Sequence, residues 1–258
     1  YRLRERDERV YPQGELARRT IGQVGDKGNY GVEYVLRDVL EGRDGKARRQ
    51  RIARGFYGRV VGGDNSEPED GLDVVTTLDL EMQDVADRAL RRQLEAQNAL
   101  WGTALVMEVA TGDLLAMANL SRTKSGAYAE VKNHALSSRM EPGSTFKLAA
   151  LLALVDDAGM SLDETFDTGN GARVKVGRTT VQDSHGLPPL NLKDAVAHSS
   201  NVFFARAVYE TYKDDPERYV DYLRHLHLDR TVGLEEFGAV APIFPAPGMK
   251  IWYPDVSI

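Results

Sequence analysis

The sequence predicts an α+β fold, and two kinds of pattern support this prediction. Residues 103–109 and 114–120 are apolar runs joined by Ala-Thr-Gly-Asp, which is typical of a β-hairpin with glycine in the turn. Helical patterns lie on both sides of the hairpin, in residues 79–99 and 192–212. A further amphipathic helix is predicted in residues 215–228. Together these segments predict a mixed structure of helices and sheet.

Composition narrows the classes of function. The chain has 258 residues, 42% of them hydrophobic, so it can bury a sizeable core in one large or two smaller domains. A net charge of -6 gives the chain as a whole no basic electrostatic field, which argues against a nucleic-acid partner. The absence of cysteine excludes disulfides, thiol nucleophiles and cysteine-based metal sites. It also suits an oxidising compartment.

Membrane attachment is not predicted within these residues. No apolar run is long enough to cross a bilayer, and no signal-peptide pattern is present. Because the chain starts at Tyr1 rather than at methionine, we expect that an upstream segment was removed or left out. A membrane anchor is expected only in that absent segment.

Two domains are predicted, with a boundary near residue 70. Residues 1–70 are basic, rich in glycine and poor in long apolar runs, which predicts short elements joined by turns. The acidic stretch 62–71 is typical of a linker. We therefore expect a small N-terminal domain over residues 1–70 and a larger domain over residues 71–258.

Several elements of the larger domain are predicted individually. Residues 72–78 alternate like a strand, and Asp79 is a good N-cap for the helix that follows. The apolar run 146–155 predicts a buried helix that ends near Gly159, where a left-handed C′ residue fits. The predicted apolar stripe of the first helix consists of Met82, Val85, Ala86, Ala89 and Leu90.

Two Ser-x-x-Lys patterns are candidates for catalysis: Ser144-Thr-Phe-Lys147 and Ser121-Arg-Thr-Lys124. In enzymes that use this pair, the serine attacks an acyl carbon and the lysine acts as its base. The serine must lie at a helix N-terminus, so that the lysine one turn later reaches its hydroxyl. The lysine must also be desolvated, because only a neutral amine accepts a proton.

The pair of Ser144 and Lys147 meets both demands. A proline and a glycine precede the serine, which suits the start of a helix. Lys147 is the only charged residue between Glu141 and Asp156, so its side chain is either extended toward solvent or functional.

The pair of Ser121 and Lys124 meets neither demand. No apolar helix is predicted after it, and the polar residues that follow are typical of a solvated loop. An overlapping Lys124-Ser125-Gly126 matches a motif that belongs on a strand edge, yet here it falls in the same polar connection. We interpret both matches as coincidence.

With Glu-Pro-Gly-Ser144-Thr-Phe-Lys147 and the downstream Ser199-Ser200-Asn201, the chain resembles the class B penicillin-binding proteins, and within them the division-type enzymes. Four further segments resemble stretches that precede the active serine in that class. They begin with Arg9-Val-Tyr-Pro, Tyr30-Gly-Val-Glu, Gly71-Leu-Asp-Val and Gly102-Thr-Ala-Leu. The resemblance covers most of residues 9–210. It implies a penicillin-binding-protein/β-lactamase-like transpeptidase domain over residues 71–258, preceded by an irregular β-rich pedestal.

The resemblance also implies roles for four residues. Ser144 would be the nucleophile and Lys147 its general base. Ser199 would relay a proton to the leaving amine, and Asn201 would orient Lys147 and the substrate amide. The reaction implied is D-Ala-D-Ala transpeptidation, in which peptidoglycan stem peptides are cross-linked through an acyl-enzyme. No cofactor or metal is expected.

Partners and location follow from the same resemblance. The expected ligands are peptidoglycan stem peptides and β-lactam antibiotics, and the expected protein partners are a membrane glycosyltransferase and division proteins. The expected location is the periplasmic or extracytoplasmic face of the bacterial cell membrane. Two alternatives stay open: a non-catalytic scaffold of the division machinery, and a relative that hydrolyses or senses β-lactams.

One element of the family pattern is missing from the sequence. The family places a Lys-Thr/Ser-Gly triplet after the Ser-x-Asn, and no such triplet follows Asn201. We therefore expect the chain to be the N-terminal portion of a truncated transpeptidase domain.

Three further patterns have simpler explanations. His225 and His227 lack a third ligand nearby, so a surface or interface pair is favoured over a metal site. Residues 183–186, Asp-Ser-His-Gly, are adjacent and cannot converge as a catalytic triad, so a loop is predicted. His198 is interpreted as a packed helix residue.

Overall fold

The computed structural model describes residues 9–26, 28–46, 49–54, 56–59 and 65–245, which divide into two compact units. The first comprises the described part of Tyr1–Ser138 together with Gly233–Ala239. The second comprises Arg139–Val232 together with the described part of Val240–Ile258. The predicted domains, residues 1–70 and 71–258, stay a prediction, because the two units are defined by compactness and divide the chain elsewhere.

The N-terminal part of the first unit consists of short elements joined by turns, as the glycine-rich sequence predicts. Its helices are α1 (Arg18–Ile21), α2 (Gly31–Val35) and α3 (Arg37–Leu40), and its strands are β1 (Arg49–Ala53) and β2 (Phe56–Arg59). The two strands form an antiparallel pair.

The rest of the first unit is a helix packed on a hairpin. Its elements are α4 (Leu80–Ala96), β3 (Trp101–Met107), β4 (Leu114–Arg122), β5 (Tyr128–Ala129) and α5 (His134–Ser137). The strands form one antiparallel sheet in the order β3-β4-β5, which confirms the predicted hairpin. Its turn contains Gly112 at φ 81°, in the left-handed region that glycine tolerates best.

Residues 72–78 do not form a strand, so that prediction was wrong. The segment pairs with no strand among the described residues, despite its alternating pattern. Two individual hydrogen bonds, one from the segment and one from the residue that follows it, connect this part of the chain to β4 instead. The Thr77 hydroxyl donates to the carbonyl of Leu114 at 2.8 Å, and the N–H of Asp79 donates to the carbonyl of Leu115 at 2.9 Å.

Helix α4 begins where predicted but buries a different face. The Asp79 carboxylate accepts the N–H of Met82 at 2.8 Å, as an N-cap does. Ala86 and Leu90 pack against the hairpin as predicted, whereas the other three members of the predicted stripe are exposed. A polar residue, Gln83, is buried in their place.

The second unit is built mainly of helices. Its elements are α6 (Lys147–Leu152), β6 (Thr165–Phe166), β7 (Val174–Val176), β8 (Thr179–Val181), β9 (Leu190–Asn191), α7 (Leu192–Ala197), α8 (Asn201–Tyr212) and α9 (Pro216–His225). A 3₁₀ turn, Gly143–Phe146, leads into α6, and a π-helical turn, Ala153–Asp157, extends it. The predicted helix is confirmed, and Gly159 follows it at φ 67°.

Helix α8 lies at the centre of the second unit's core. Phe203, Phe204 and Val208 are fully buried on it and pack with residues of α6, α7 and α9. The hydroxyl of Tyr212, at its last residue, donates to the carbonyl of Ala153 at 2.8 Å. The core therefore fixes α8 against α6, which begins at Lys147, and against the π-helical turn that extends it. No helix in the described part of the chain is long and apolar enough to cross a membrane.

Candidate active site

Ser144 lies where its proposed chemistry requires, at the start of a helix. It occupies the 3₁₀ turn Gly143–Phe146 directly before α6, and its side chain is exposed. Gly143 has φ 59°, a conformation that costs glycine little. Among the residues that the structure describes, the Ser144 hydroxyl has no hydrogen-bond partner, so the predicted contact with Lys147 is not formed in this structure.

Lys147 is buried one turn after Ser144. Its side chain is only 5% exposed, and its Nζ donates three hydrogen bonds. The acceptors are the carbonyl of Ser199 at 2.5 Å, the Oγ of Ser199 at 3.1 Å and the Oδ1 of Asn201 at 2.5 Å. The structure thus brings together three of the four predicted site residues. All three acceptors belong to one short segment, Ser199-Ser200-Asn201, hereafter the SSN turn.

The surroundings of Lys147 favour its neutral form. Burial lowers the pKa of its amine below the ordinary value of 10.5, and the Asp183 carboxylate partly offsets this by favouring the charged form. Desolvation is the larger of the two effects. A lysine with a lowered pKa is suited to accept a proton from a serine hydroxyl.

The SSN turn has an unusual backbone at Ser199. This residue joins α7 to α8 and has φ 52°, in the left-handed region that costs a residue with a Cβ roughly 1–2 kcal/mol. The same backbone carries the Ser199 carbonyl that accepts from Lys147. Strain of this kind is concentrated at functional sites in proteins.

The strain at Ser199 leads to a prediction about stability. We expect Ser199→Gly to have a free energy of unfolding about 1 kcal/mol higher than Ser199→Ala, because only glycine lacks the Cβ that the left-handed conformation penalises. Both variants lose the hydroxyl, so the comparison isolates the backbone effect. Urea unfolding followed by circular dichroism measures the difference. Equal stability of the two variants would contradict a strained Ser199.

The sequence analysis missed a buried carboxylate beneath the SSN turn. Asp183 is 6% exposed and accepts the hydroxyl of Ser200 at 2.8 Å and the N–H of Asn201 at 2.5 Å. Asp183 belongs to Asp-Ser-His-Gly, predicted to be a loop, and the structure contains no strand or helix there. The contact spans 17 or more positions, so no local pattern could have revealed it.

Ser121 lies in a setting that differs from the prediction. It is within β4 rather than in a solvated connection, and its Oγ is 2.7 Å from Nε2 of His134. Lys124 lies in the exposed turn that follows, and no helix begins there. The absence of a helix after Ser121 agrees with its interpretation as a coincidental match.

The remaining histidines form no metal cluster within the described ranges. His225 ends α9, whereas His227 lies beyond it at φ 60°. His198 is exposed, so the prediction of a packed helix residue was wrong. Its ring centroid is 6.5 Å from that of His185.

The comparison with protein families gives a match to one family, described as the penicillin binding protein transpeptidase domain. The match covers residues 102–242, which is more than half of the chain. Ser144, Lys147 and the SSN turn all lie inside it.

Curated relatives match over a longer stretch. The chain is 30% identical over 225 residues to a protein of Neisseria meningitidis named probable peptidoglycan D,D-transpeptidase PenA, covering 80% of this chain and 38% of that one. It is 31% identical over 254 residues to penicillin-binding protein PbpB of Mycobacterium tuberculosis, covering 92% of this chain and 36% of that one. The chain therefore spans little more than a third of these relatives.

A solved structure has the same fold. Penicillin binding protein 3 of Mycobacterium tuberculosis, complexed with ampicillin, superposes with a TM-score of 0.75 at 28% identity, covering 93% of this chain and 51% of that one. This agreement confirms the predicted α+β fold of the penicillin-binding proteins. From the family match and these relatives, the chain belongs to the penicillin-binding protein transpeptidase family, as a division-type class B member.

Proposed function

We propose that this chain forms an acyl-enzyme on Ser144 in peptidoglycan D,D-transpeptidation. The observation that carries the proposal is the buried Lys147 amine, one turn from Ser144 and hydrogen-bonded to both Ser199 and Asn201. The names of the relatives, a D,D-transpeptidase and penicillin-binding proteins, support the same reaction.

In the proposed first half-reaction, Lys147 takes the proton of the Ser144 hydroxyl. The Ser144 oxygen attacks the carbonyl carbon of the D-Ala-D-Ala peptide bond, and the carbonyl oxygen becomes an oxyanion. The backbone N–H of Ser144, at the helix start, is one of the donors that lack an intrahelical partner and would stabilise that oxyanion. The C–N bond then breaks, and the departing amine takes a proton through Ser199.

In the proposed second half-reaction, the acyl group leaves Ser144. An amine of a neighbouring stem peptide attacks the ester carbonyl and loses a proton, and the Ser144 oxygen recovers one. The products are a cross-linked peptide and a free hydroxyl. Asn201 would orient both Lys147 and the donor amide during these steps, since its Oδ1 already accepts from the lysine.

The same nucleophile would account for β-lactam binding. A β-lactam presents a strained amide whose amine stays tethered after the ring opens, so the acyl-enzyme persists when no acceptor reaches it. We propose β-lactams as inhibitors, and a membrane glycosyltransferase and division proteins as partners. The proposed site of action is the extracytoplasmic face of the cell membrane, as is typical of the cell-wall relatives.

Acylation by penicillin tests the proposed function. We expect the intact native protein to gain one penicillin adduct, with the added mass on the tryptic peptide 140–147, which contains Ser144. Ser121 falls in a different peptide, 93–122, so the two serines are resolved by mass spectrometry. Penicillin hydrolysis is measured in the same samples.

The outcomes separate the rival functions. A stable adduct on peptide 140–147 supports the transpeptidase. An adduct that turns over with steady hydrolysis of penicillin supports a hydrolase instead. A folded protein that gains no adduct supports the scaffold, and the proposal of an acyl-enzyme would then be withdrawn.

A further inference from the structure

The carboxylate of Asp183 is bound to the SSN turn through both of its oxygens. Oδ2 accepts the hydroxyl proton of Ser200 at 2.8 Å. Oδ1 accepts the N–H groups of Asn201 at 2.5 Å and of Val202 at 3.2 Å. The three donors are consecutive residues at the start of α8, a helix of 12 residues. One carboxylate therefore fixes the end of the helix from which Asn201 extends.

These bonds are strong ones by their chemistry. The first N–H groups of a helix have no intrahelical acceptor, and a negative charge there also interacts favourably with the helix dipole. Hydrogen bonds to an ionised group are shorter and stronger than those between neutral groups. Ser200 is held twice, because its Oγ donates to Asp183 and accepts the N–H of Phe203 at 3.0 Å. Ser200 is 1% exposed, so its hydroxyl is shielded from competing water.

The fixed turn determines where Lys147 meets its partners. Ser199 and Asn201 flank Ser200, and their oxygens are the three acceptors of the Lys147 amine. We propose that Asp183 is a positioning residue of the active site, which holds the SSN turn so that Ser199 and Asn201 face Lys147. This inference rests on the proposed function. Asp183 lies outside both the Ser-x-x-Lys and the Ser-x-Asn motifs.

Asp183 has a second effect through its charge. The carboxylate favours the protonated form of Lys147 and so raises the pKa that burial lowers. Two further titratable side chains lie nearby in the sequence. His185 is on the same loop as Asp183, and His198 directly precedes the SSN turn. The Asp183 carboxylate is thus the charged group whose attraction opposes the effect of burial on the pKa of Lys147.

Substitution of Asp183 tests the two effects separately. We expect Asp183→Asn to slow acylation of Ser144 by penicillin about 10- to 100-fold, since an amide cannot replace a carboxylate that accepts three hydrogen bonds. The pH at which the acylation rate levels off is expected to fall, because the charge that favours protonated Lys147 is gone. Asp183→Glu keeps the charge but alters the geometry. It is therefore expected to slow acylation while shifting the pH at which the rate levels off much less than Asp183→Asn does.

A matched control is Asp215→Asn. Asp215 also caps a helix, accepting the N–H of Arg218 at the start of α9, but it is exposed. Its substitution is expected to leave both the rate and the pH profile unchanged. Ser200→Ala removes one bond to Asp183 and retains the carboxylate, so it is expected to slow acylation without moving the pH profile.

The results distinguish failure of this inference from failure of the proposed function. If the wild-type protein is acylated on Ser144 and folded Asp183→Asn matches it in rate and pH profile, Asp183 has no positioning role. If the wild-type protein is folded but never acylated, the proposed function itself fails. Should Asp183→Asn not fold, the decision passes to Asp183→Glu and Ser200→Ala, and wild-type rates in both would overturn the inference.

Discussion

Lys147→Met is expected to slow acylation of Ser144 by penicillin about 10³-fold or more. Methionine has a similar length and is suited to a buried position, but it has no group that accepts a proton. General-base catalysis contributes roughly 10²–10⁴-fold to enzyme rates. Because Lys147 also contacts Ser199 and Asn201, we expect the upper part of that range. The second-order rate constant of acylation measures the effect.

The pH dependence of the acylation rate also tests whether Lys147 is the base. Only neutral Lys147 acts as a base, so the wild-type rate is expected to rise with pH and to level off below pH 10.5, the ordinary pKa of a lysine amine. Lys147→Met is expected to lack this rise. Lys147→Arg retains a positive charge that is not lost at these pH values, and it is expected to be as slow as Lys147→Met. Lys193→Met, at an exposed position of α7, is the control. Wild-type acylation by Lys147→Met would exclude Lys147 as the base.

Phe203→Ala is expected to lower the free energy of unfolding by about 3–5 kcal/mol, the range for removing a buried aromatic ring from a core. Phe203 is fully buried and lies edge-to-face against Phe166 at 5.3 Å and Phe204 at 5.7 Å between ring centroids. Such pairs add to the stability gained from burial alone. Urea unfolding followed by circular dichroism measures the loss.

Two further variants serve as comparisons for the stability of Phe203→Ala. Phe203→Leu refills much of the space and is expected to lose less stability than Phe203→Ala. Val196→Ala, at a position on α7 that is 48% exposed, is expected to change stability by no more than about 0.5 kcal/mol. If Phe203→Ala were as stable as Val196→Ala, α8 would not be the central helix of this core.

The parts of the molecule predicted well are those determined by neighbouring residues. The hairpin around Gly112 and the helix after Ser144 each follow from a short local pattern and a turn residue. The N-cap at Asp79 is equally local, since its carboxylate bonds three residues ahead. Such local patterns predict the same structure regardless of contacts with distant parts of the chain.

The parts predicted poorly depend on distant contacts. Gln83 is buried because its side-chain amide bonds to both backbone groups of Met117, at 3.2 Å and 2.7 Å, and this pairing rotates the buried face of α4. Asp183 was missed for the same kind of reason, since its partners are 17–19 positions away. Local hydrophobic patterns carry no information about such partners.

The three acceptors around Lys147 differ in one chemical property that bears on proton movement. The carbonyl of Ser199 and the Oδ1 of Asn201 can only accept, whereas the Ser199 hydroxyl can also donate. An ammonium would donate to all three oxygens. A neutral amine has two N–H groups and a lone pair, so the two obligate acceptors hold its hydrogens and the hydroxyl of Ser199 reverses direction. Ser199 is thus the one partner whose bond to Lys147 can survive a change in protonation by switching donor and acceptor. Under the proposed function, this switch is the property that a proton relay from Lys147 to the leaving amine would require.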